Sequence, residues 1–223
     1  MTTAEAAVEA ADIVYLEGYL WDPPGAKEAF LKASKIAHEA GRKVALTLSD
    51  SFCVGRYRDE FLGLMRNGTA DIVFANESEL HSLYETSDFD GALKQLRSDV
   101  KLGVVTRSEK GCVVVTPTDA VAAPASPITQ LVDTTGAGDL FAAGFLAGHE
   151  GHAGQAALDA FGTEHHHGGA HGGAWDVRSA AGTHVEVVIL AVLEDDQPDL
   201  PGNLRLAPQR ILSEFGFRND GRG

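Results

Sequence analysis

Short apolar segments alternate with longer amphipathic segments over the first half of the chain. Four to six consecutive apolar residues are typical of a strand that is buried on both faces of a sheet. We predict strands of this kind at residues 12–17, 44–48, 72–75, 103–106 and 112–116. Residues 26–40 instead carry apolar side chains at helical spacing, which predicts a helix with one face in the core: Ala29, Phe30, Ala33, Ile36 and Ala37. Further helices are predicted at residues 57–67, 76–84 and 89–98.

This alternation of strands and helices predicts βαβ units, and therefore an α/β fold with a mostly parallel sheet. Residues 108–111 lie between two predicted strands and have the character of a hairpin. Ligands of parallel sheets bind beyond the carboxyl ends of the strands. Asn76, Thr106 and Asp133 all stand at such ends, so we expect them to converge on one crevice.

A glycine-rich turn joins a predicted strand at residues 128–132 to an apolar helix. The turn contains Gly136, Ala137 and Gly138, and Asp139 follows it. Small residues at a helix N-terminus leave backbone N–H groups accessible, and these stabilise a phosphate or a developing negative charge. An aspartate beside this anion hole can act as a base, as phosphoryl transfer to an alcohol requires. The alternative is a structural turn in which Asp139 only compensates the helix dipole.

Two other glycine-rich motifs do not match this segment. The dinucleotide-binding motif G-x-G-x-x-G requires a third glycine where Phe141 stands. A P-loop requires Gly-Lys followed by Ser or Thr, whereas no Lys or Arg lies between Lys110 and Arg178. The sequence therefore argues against an NAD-binding domain and against a P-loop site.

Three motifs, in matching order and spacing, resemble those of the ribokinase-like (PfkB-type) carbohydrate and nucleoside kinases. The run D-T-T-G-A-G-D-x-F-x-x-G-F, residues 133–145, resembles the C-terminal signature of that family. Asn76–Glu79 resembles its N-x-x-E motif, and Thr106–Gly111 resembles its T-x-G-x-x-G motif, with Ser108 at the middle glycine. Residues 11 to 148 are similar to the C-terminal half of the family, and residues 15–22 are most similar to bacterial adenosine or sugar kinases.

The resemblance implies a ribokinase-like, Rossmann-like three-layer sandwich that binds ATP and Mg²⁺. Asp139 would be the general base, and Gly136, Ala137 and Gly138 would form the anion hole. Asp133 would shape the turn or face the substrate.

On the nucleotide side, the resemblance implies Thr106 and Gly111, with Lys110 able to reach a phosphate or simply exposed on a hairpin. Asn76 and Glu79 would contact Mg²⁺ or phosphate through water. The alternative for this pair is an N-cap asparagine with a capping-box glutamate.

The implied function is transfer of the ATP γ-phosphate to a hydroxyl of a sugar or nucleoside, with adenosine among the candidates. The family's N-terminal half, which includes further central strands, acceptor-binding segments and a β lid, has no counterpart in the sequence. We therefore expect the N-terminal half and the lid to be missing, and the oligomeric state cannot be derived. The alternative function is a truncated, non-catalytic relative that at most binds nucleotide or a partner.

The chain changes character after Gly148. Seven of the nine histidines lie between residues 149 and 184, in glycine-rich sequence that disfavours helices. We therefore predict a partial kinase domain at residues 1–149 and an atypical Gly/His-rich tail at residues 150–223, poorly ordered or out of the family's reading frame. Neighbouring histidines in such a tract lack the fixed geometry of a metal site.

Composition narrows the partners and the location. A net charge of −14 argues against a nucleic-acid surface, which needs a basic stripe. The sequence has no apolar run of eighteen residues and no secretory signal at its start, so we expect neither a membrane span nor export. Cys53 and Cys112 do not form a C-x-x-C pair, so we predict no metal or redox motif. These features indicate a cytoplasmic protein, and the resemblance implies a small-molecule substrate.

Overall fold

A computed structural model describes residues 3–125, 136–151, 174–178 and 184–190. The helices are α1 Thr3–Ala10, α2 Pro24–Glu39, α3 Ser51–Arg56, α4 Arg58–Arg66, α5 Glu77–Tyr84, α6 Phe89–Asp99 and α7 Ala137–Gly151. The strands are β1 Ile13–Glu17, β2 Lys43–Thr47, β3 Ile72–Asn76, β4 Leu102–Thr106, β5 Cys112–Val115, β6 Ala120–Ala123, β7 Ala174–Arg178 and β8 His184–Leu190. Short 3-10 turns occupy Gly18–Trp21 and Ser108–Lys110.

The strands form one sheet in the order β6-β5-β4-β3-β2-β1-β8-β7. The five central strands, in the order β8-β1-β2-β3-β4, run parallel to one another. Antiparallel pairs stand at both edges, where β5 and β6 follow β4 and where β7 pairs with β8. The prediction of an α/β fold with a mostly parallel sheet is confirmed.

Helices cover both faces of the sheet and so produce three layers. On one face, α2, α4 and α5 contribute the fully buried side chains of Phe30, Phe61 and Leu80 to the larger apolar cluster. On the other face, α7 packs Phe145 against Phe74 of β3 in an edge-on contact with ring centroids 5.6 Å apart. Because apolar burial is the main favourable contribution to folding, this second cluster holds α7 across the sheet.

The predicted strands and helices that the structure describes agree with the observed bounds to within about two residues, whereas five elements were not predicted. These are α1, α3, β6, β7 and β8. Asp50 is the N-cap of α3, and its carboxylate accepts hydrogen bonds from the N–H groups of Phe52 and Cys53. Aspartate is a preferred N-cap residue, so the sequence did contain a signal for this helix. Strand β6 reads Ala-Val-Ala-Ala and is largely exposed, so it carries no alternating apolar pattern.

The predicted tail contributes to this sheet. Strand β8 pairs in parallel with β1, with Ile13 opposite Val187 and Leu16 opposite Leu190. The predicted strand at residues 128–132 and the histidine-rich tract at residues 165–173 lie outside the described residues. Within the described part of the chain, no helix has the length and apolar character needed to cross a bilayer.

The carboxylate of Asp71 lies at the amino ends of the strands and links the starts of β2, β3 and β4 to helix α2. Asp71, just before β3, accepts hydrogen bonds from the Val44 N–H (3.0 Å) and the Lys101 ammonium (2.7 Å). Its Oδ2 also lies 2.8 Å from Nε2 of His38 on α2. Burial works to raise the pKa of this carboxyl, but these hydrogen bonds outweigh it and the pKa is lowered.

We expect Asp71→Asn to lower the free energy of unfolding near neutral pH by about 1–3 kcal/mol, because hydrogen bonds to a charged group are lost. A carboxyl whose folded pKa is depressed stabilises the protein above its unfolded pKa, and this contribution disappears as the pH falls through the folded value. Urea unfolding of parent and variant should therefore differ most near pH 7 and converge in acid. Asp90→Asn, at an exposed position of α6, is the control. A difference that does not change with pH would contradict this role.

Candidate active site

The carboxyl ends of β1 to β4 form one polar edge. Glu17, Thr47, Asn76 and Thr106 are the last residues of these four strands. The register pairs Glu17 with Thr47 and Asn76 with Thr106, so the side chains of neighbouring strands end side by side. Asn76 and Thr106 therefore meet at the predicted edge, whereas Asp133 lies outside the described residues.

The glycine turn presents the start of α7 to this edge. Gly136 has a positive φ of 73°, which favours glycine, and its carbonyl accepts the N–H of Leu140 at 3.0 Å. Ala137 and Gly138 are exposed in the first turn of α7. Among the described residues, no heavy atom lies within 4 Å of a Cβ atom placed at Gly138, so none of them fills the space there.

Asp139 is partly buried in that first turn, and burial raises the pKa of its carboxyl. Its negative charge acts on the end of β1, where it contributes to raising the pKa of Glu17 and of Tyr19. The first turn of α7 therefore lies beside the carboxyl end of β1. The interaction of Asp139 with Glu17 and Tyr19 thus joins the first turn of α7 to the same carboxyl edge of the sheet.

Glu17 is a residue of this region that the sequence analysis did not select. Its side chain is only 8% exposed, and burial is the main cause of its raised pKa. A hydrogen bond with Tyr19 acts in the opposite direction, while the charge of Asp139 adds to the rise. The available signal was a carboxylate at the end of an otherwise apolar strand, since such a group is rarely buried without a reason.

Asn76 and Glu79 form a capping box at the N-terminus of α5. The Glu79 N–H donates to Oδ1 of Asn76 at 2.9 Å. In return, the Asn76 N–H donates to Oε2 of Glu79 at 2.9 Å and the Asn76 amide donates to Oε1 at 2.6 Å. The structural alternative for this pair is therefore present in full.

The same glutamate also suits a nearby cation. Glu79 is 4% exposed, and its pKa is raised to about 6, chiefly by burial, with the charge of Asp50 adding to the rise. The described residues contain no group of three or more His, Cys, Asp or Glu side chains that could hold a metal directly. A buried carboxylate beside another acid favours a cation, and Mg²⁺ commonly keeps its waters, so the residues fit Mg²⁺ bound through water.

A pocket of about 500 Å³ opens beside this pair at the ends of β3 and β4. Its lining residues are Asn76, Glu77, Ser78, His81, Thr106, Arg107 and Ser108. The predicted residue Thr106 belongs to the pocket, whereas the ammonium of Lys110 lies 3.5 Å from Glu77 Oε2 in an ion pair. Arg107 and Ser108 were not selected from the sequence as ligand-binding residues.

Both special positions of the T-x-G-x-x-G segment adopt left-handed backbone conformations. Ser108, at the place of the middle glycine, has φ +51°, and Gly111 has φ +89°. A Cβ atom at Gly111 would overlap the carbonyl oxygen of Ala123. Gly111 is therefore required by its backbone conformation and by its neighbours, whatever its role toward a nucleotide.

Comparison with known proteins places this geometry in a family. Residues 1–159 match the pfkB family of carbohydrate kinases. The chain belongs to this family. The similarity to ribokinase-like kinases that the three motifs suggested is thereby confirmed.

Several solved structures are similar to this chain. The adenosine kinase of Sinorhizobium meliloti is 55% identical to it, with a TM-score of 0.67, and the match covers 71% of this chain and 48% of that chain. Aminoimidazole riboside kinase of Salmonella enterica, solved with aminoimidazole riboside and an ATP analogue, is 28% identical, with a TM-score of 0.53 over 61% of this chain and 46% of that chain. Adenosine kinase of Saccharomyces cerevisiae is 29% identical over 63% of this chain and 44% of its own length. The chain spans about half the length of these relatives.

Proposed function

We propose that this chain carries the catalytic centre of an ATP-dependent kinase that phosphorylates a hydroxyl of a nucleoside or sugar. The observation that carries the proposal is the placement of Asp139, partly buried in the first turn of α7, directly after the glycine turn and beside the ends of the strands. The 500 Å³ pocket at the ends of β3 and β4 supplies a site for the nucleotide on the same carboxyl edge of the sheet. The proposed catalytic unit is residues 1–149, with residues 150–223 as an addition outside it.

The transfer step follows from these residues. The Asp139 carboxylate takes the proton of the acceptor hydroxyl as its oxygen attacks the γ-phosphorus. The bond from that phosphorus to the β-phosphate oxygen breaks, and ADP leaves. The backbone N–H groups of Gly136, Ala137 and Gly138 stabilise the charge on the transferred phosphoryl group.

On the nucleotide side, Thr106 and Gly111 line the approach of ATP, and Lys110 stands near its phosphates. Asp133, which lies outside the described residues, keeps its proposed role as a turn-shaping or substrate-side residue. Mg²⁺, when bound, neutralises charge on the phosphates, and Asn76 and Glu79 would hold it through water. In this role, the raised pKa of Glu79 means that its carboxyl attracts the cation mainly above about pH 6.

Adenosine is the first acceptor to test, because two of the relatives named above are adenosine kinases. One of them is 55% identical to this chain. A second candidate function is a non-catalytic relative that binds nucleotide or a partner. The observation that favours this second candidate is the pocket at the ends of β3 and β4, which the described residues form without Asp139.

We expect the purified chain to release ADP from ATP and Mg²⁺ only when an acceptor is present. The measurement is a coupled assay for ADP with adenosine, cytidine, ribose and fructose as separate acceptors, and a reaction without acceptor measures background ATP hydrolysis. Release that depends on one acceptor, with a phosphorylated product of the matching mass, supports the kinase. Nucleotide binding by calorimetry without any turnover would instead support the non-catalytic candidate.

A further inference from the structure

The side chain of Arg107 lines the nucleotide pocket and is held there on two sides. Its Nε and Nη2 atoms donate to the two carboxylate oxygens of Glu77, at 3.1 and 3.3 Å. The guanidinium lies over the ring of Phe89, with Cζ 3.6 Å from the ring centroid. Lys110 contributes a second cation to the same carboxylate, with Nζ 3.5 Å from Oε2. Glu77 therefore holds two positive side chains beside the pocket.

We propose that Arg107 binds a phosphate group of the nucleotide, and that Glu77 holds the guanidinium in place until the phosphate replaces it. The inference rests on the proposed ATP-binding function of this pocket. Arg107 lies between Thr106 and Ser108, at a variable position of the T-x-G-x-x-G motif.

The chemistry of the pocket lining supports a phosphate at this position. Among the described residues that line the pocket, Arg107 is the only arginine or lysine, and most of the others carry hydroxyl or amide groups. Glu77 engages two of the five N–H donors of the guanidinium, which leaves three for a ligand. A planar guanidinium matches two phosphate oxygens at once, which a lysine cannot do.

The ion pair between Arg107 and Glu77 can be exchanged at low cost. Both side chains are about one quarter exposed, and ion pairs near the surface contribute little to stability. The ring of Phe89 keeps the guanidinium oriented when the carboxylate is displaced. A polyphosphate carries more negative charge than one carboxylate, so it competes well for the same cation.

The test measures binding of MgATP and of magnesium tripolyphosphate to the full chain by calorimetry. The variants are Arg107→Gln, Arg107→Lys and Glu77→Gln. Arg97→Gln is the matched control, because its guanidinium donates to the carbonyl of Thr116 and not to a pocket residue. Thermal unfolding of each variant without ligand reports whether the fold is retained.

We expect Arg107→Gln to weaken both ligands at least about tenfold, since a charge-assisted hydrogen bond to phosphate is lost. Arg107→Lys should recover part of this loss, Glu77→Gln should tighten binding severalfold because the competing carboxylate is gone, and the control should match the parent.

ATP binding that is equal in Arg107→Gln and parent would overturn the inference while leaving the proposed function intact. Equal weakening by Glu77→Gln and Arg107→Gln would also overturn it, since the pair would then act structurally. Arg107-dependent binding of tripolyphosphate without binding of ATP would support the phosphate site and contradict the kinase.

Discussion

Replacing Asp139 with asparagine should lower kcat by about 10²- to 10⁴-fold, the usual contribution of a general base. Asparagine keeps the shape of the side chain but cannot accept the proton of the attacking hydroxyl. The affinity for ATP should change little, because the pocket lies at the ends of β3 and β4. Initial rates of the most active acceptor, measured with parent and variant under saturating ATP, give this comparison.

The pH dependence of the parent enzyme provides a second readout of the same residue. A general base is active only when it is unprotonated, and burial raises the pKa of Asp139 above its usual value of about 3.9. Activity should therefore fall as the pH decreases through this raised value, at a higher pH than for an exposed aspartate. The acidic limb that belongs to Asp139 should be absent from whatever residual activity Asp139→Asn retains, and only the fall near pH 6 that Glu79 contributes should remain.

Stability separates catalysis from the structural alternative for Asp139. A carboxyl whose folded pKa is raised destabilises the folded protein when it is ionised, so Asp139→Asn should unfold at the same or a higher urea concentration. If Asp139 only compensated the dipole of α7, the variant would instead lose about 0.3–1 kcal/mol and keep its turnover. Asp59→Asn is the control, because Asp59 is an exposed first-turn aspartate of α4. Turnover in Asp139→Asn equal to that of Asp59→Asn would contradict the role as base.

The buried strands could be predicted because both faces of this sheet are covered. All five residues of β1, Ile13–Glu17, are buried, so the strand reads as a nearly continuous apolar run. Where such an apolar run stops, the polar residue marks the end of the strand, as Asn76 does for β3 and Thr106 for β4. Parallel strands then bring these ends together without further information. The position of the pocket beside Asn76 and Thr106 therefore agrees with the strand pattern.

The side-chain contacts of the pocket could not be predicted in this way. The bidentate pair joins Glu77 and Arg107, which are thirty positions apart and belong to different elements. Nothing in the local sequence of either residue specifies the other, because the pairing depends on how β3 and β4 align. The parallel pairing of β8 with β1 is a similar case, since one strand's apolar pattern is compatible with any free edge.

Backbone conformations formed an intermediate case. Glycine at position 111 indicated a turn, and the hairpin between β4 and β5 is as predicted. Ser108 stands where the motif has its middle glycine, yet it adopts φ +51°, a conformation that serine rarely takes. The turn geometry at this position is therefore kept with a side chain in place of the glycine, and the surrounding structure determines it.

Gly111 should be the glycine least tolerant of substitution among those of the described hairpin. It combines φ +89° with ψ −135°, a region that is essentially restricted to glycine. A Cβ atom there would overlap the Ala123 carbonyl oxygen and would lie 2.7 Å from the carbonyl carbon of Pro124 and 2.8 Å from the nitrogen of Ala125. All of these neighbours are backbone atoms, so no side-chain rotation can relieve the contact.

We expect Gly111→Ala to lower the free energy of unfolding by about 2–5 kcal/mol, from backbone strain together with overpacking. The Arg107 N–H donates to the Gly111 carbonyl at 2.8 Å, so displacement of this turn also moves the pocket wall and should weaken ATP binding.

Gly63→Ala is the matched control, because Gly63 lies within α4 and a Cβ atom there meets nothing within 4 Å. That variant should gain about 0.4–1 kcal/mol, because alanine restricts the unfolded chain. Urea unfolding followed by circular dichroism measures both changes. Equal stabilities for the two variants would show that the backbone at Gly111 can rearrange, and the requirement for glycine at this turn would then have to come from the nucleotide.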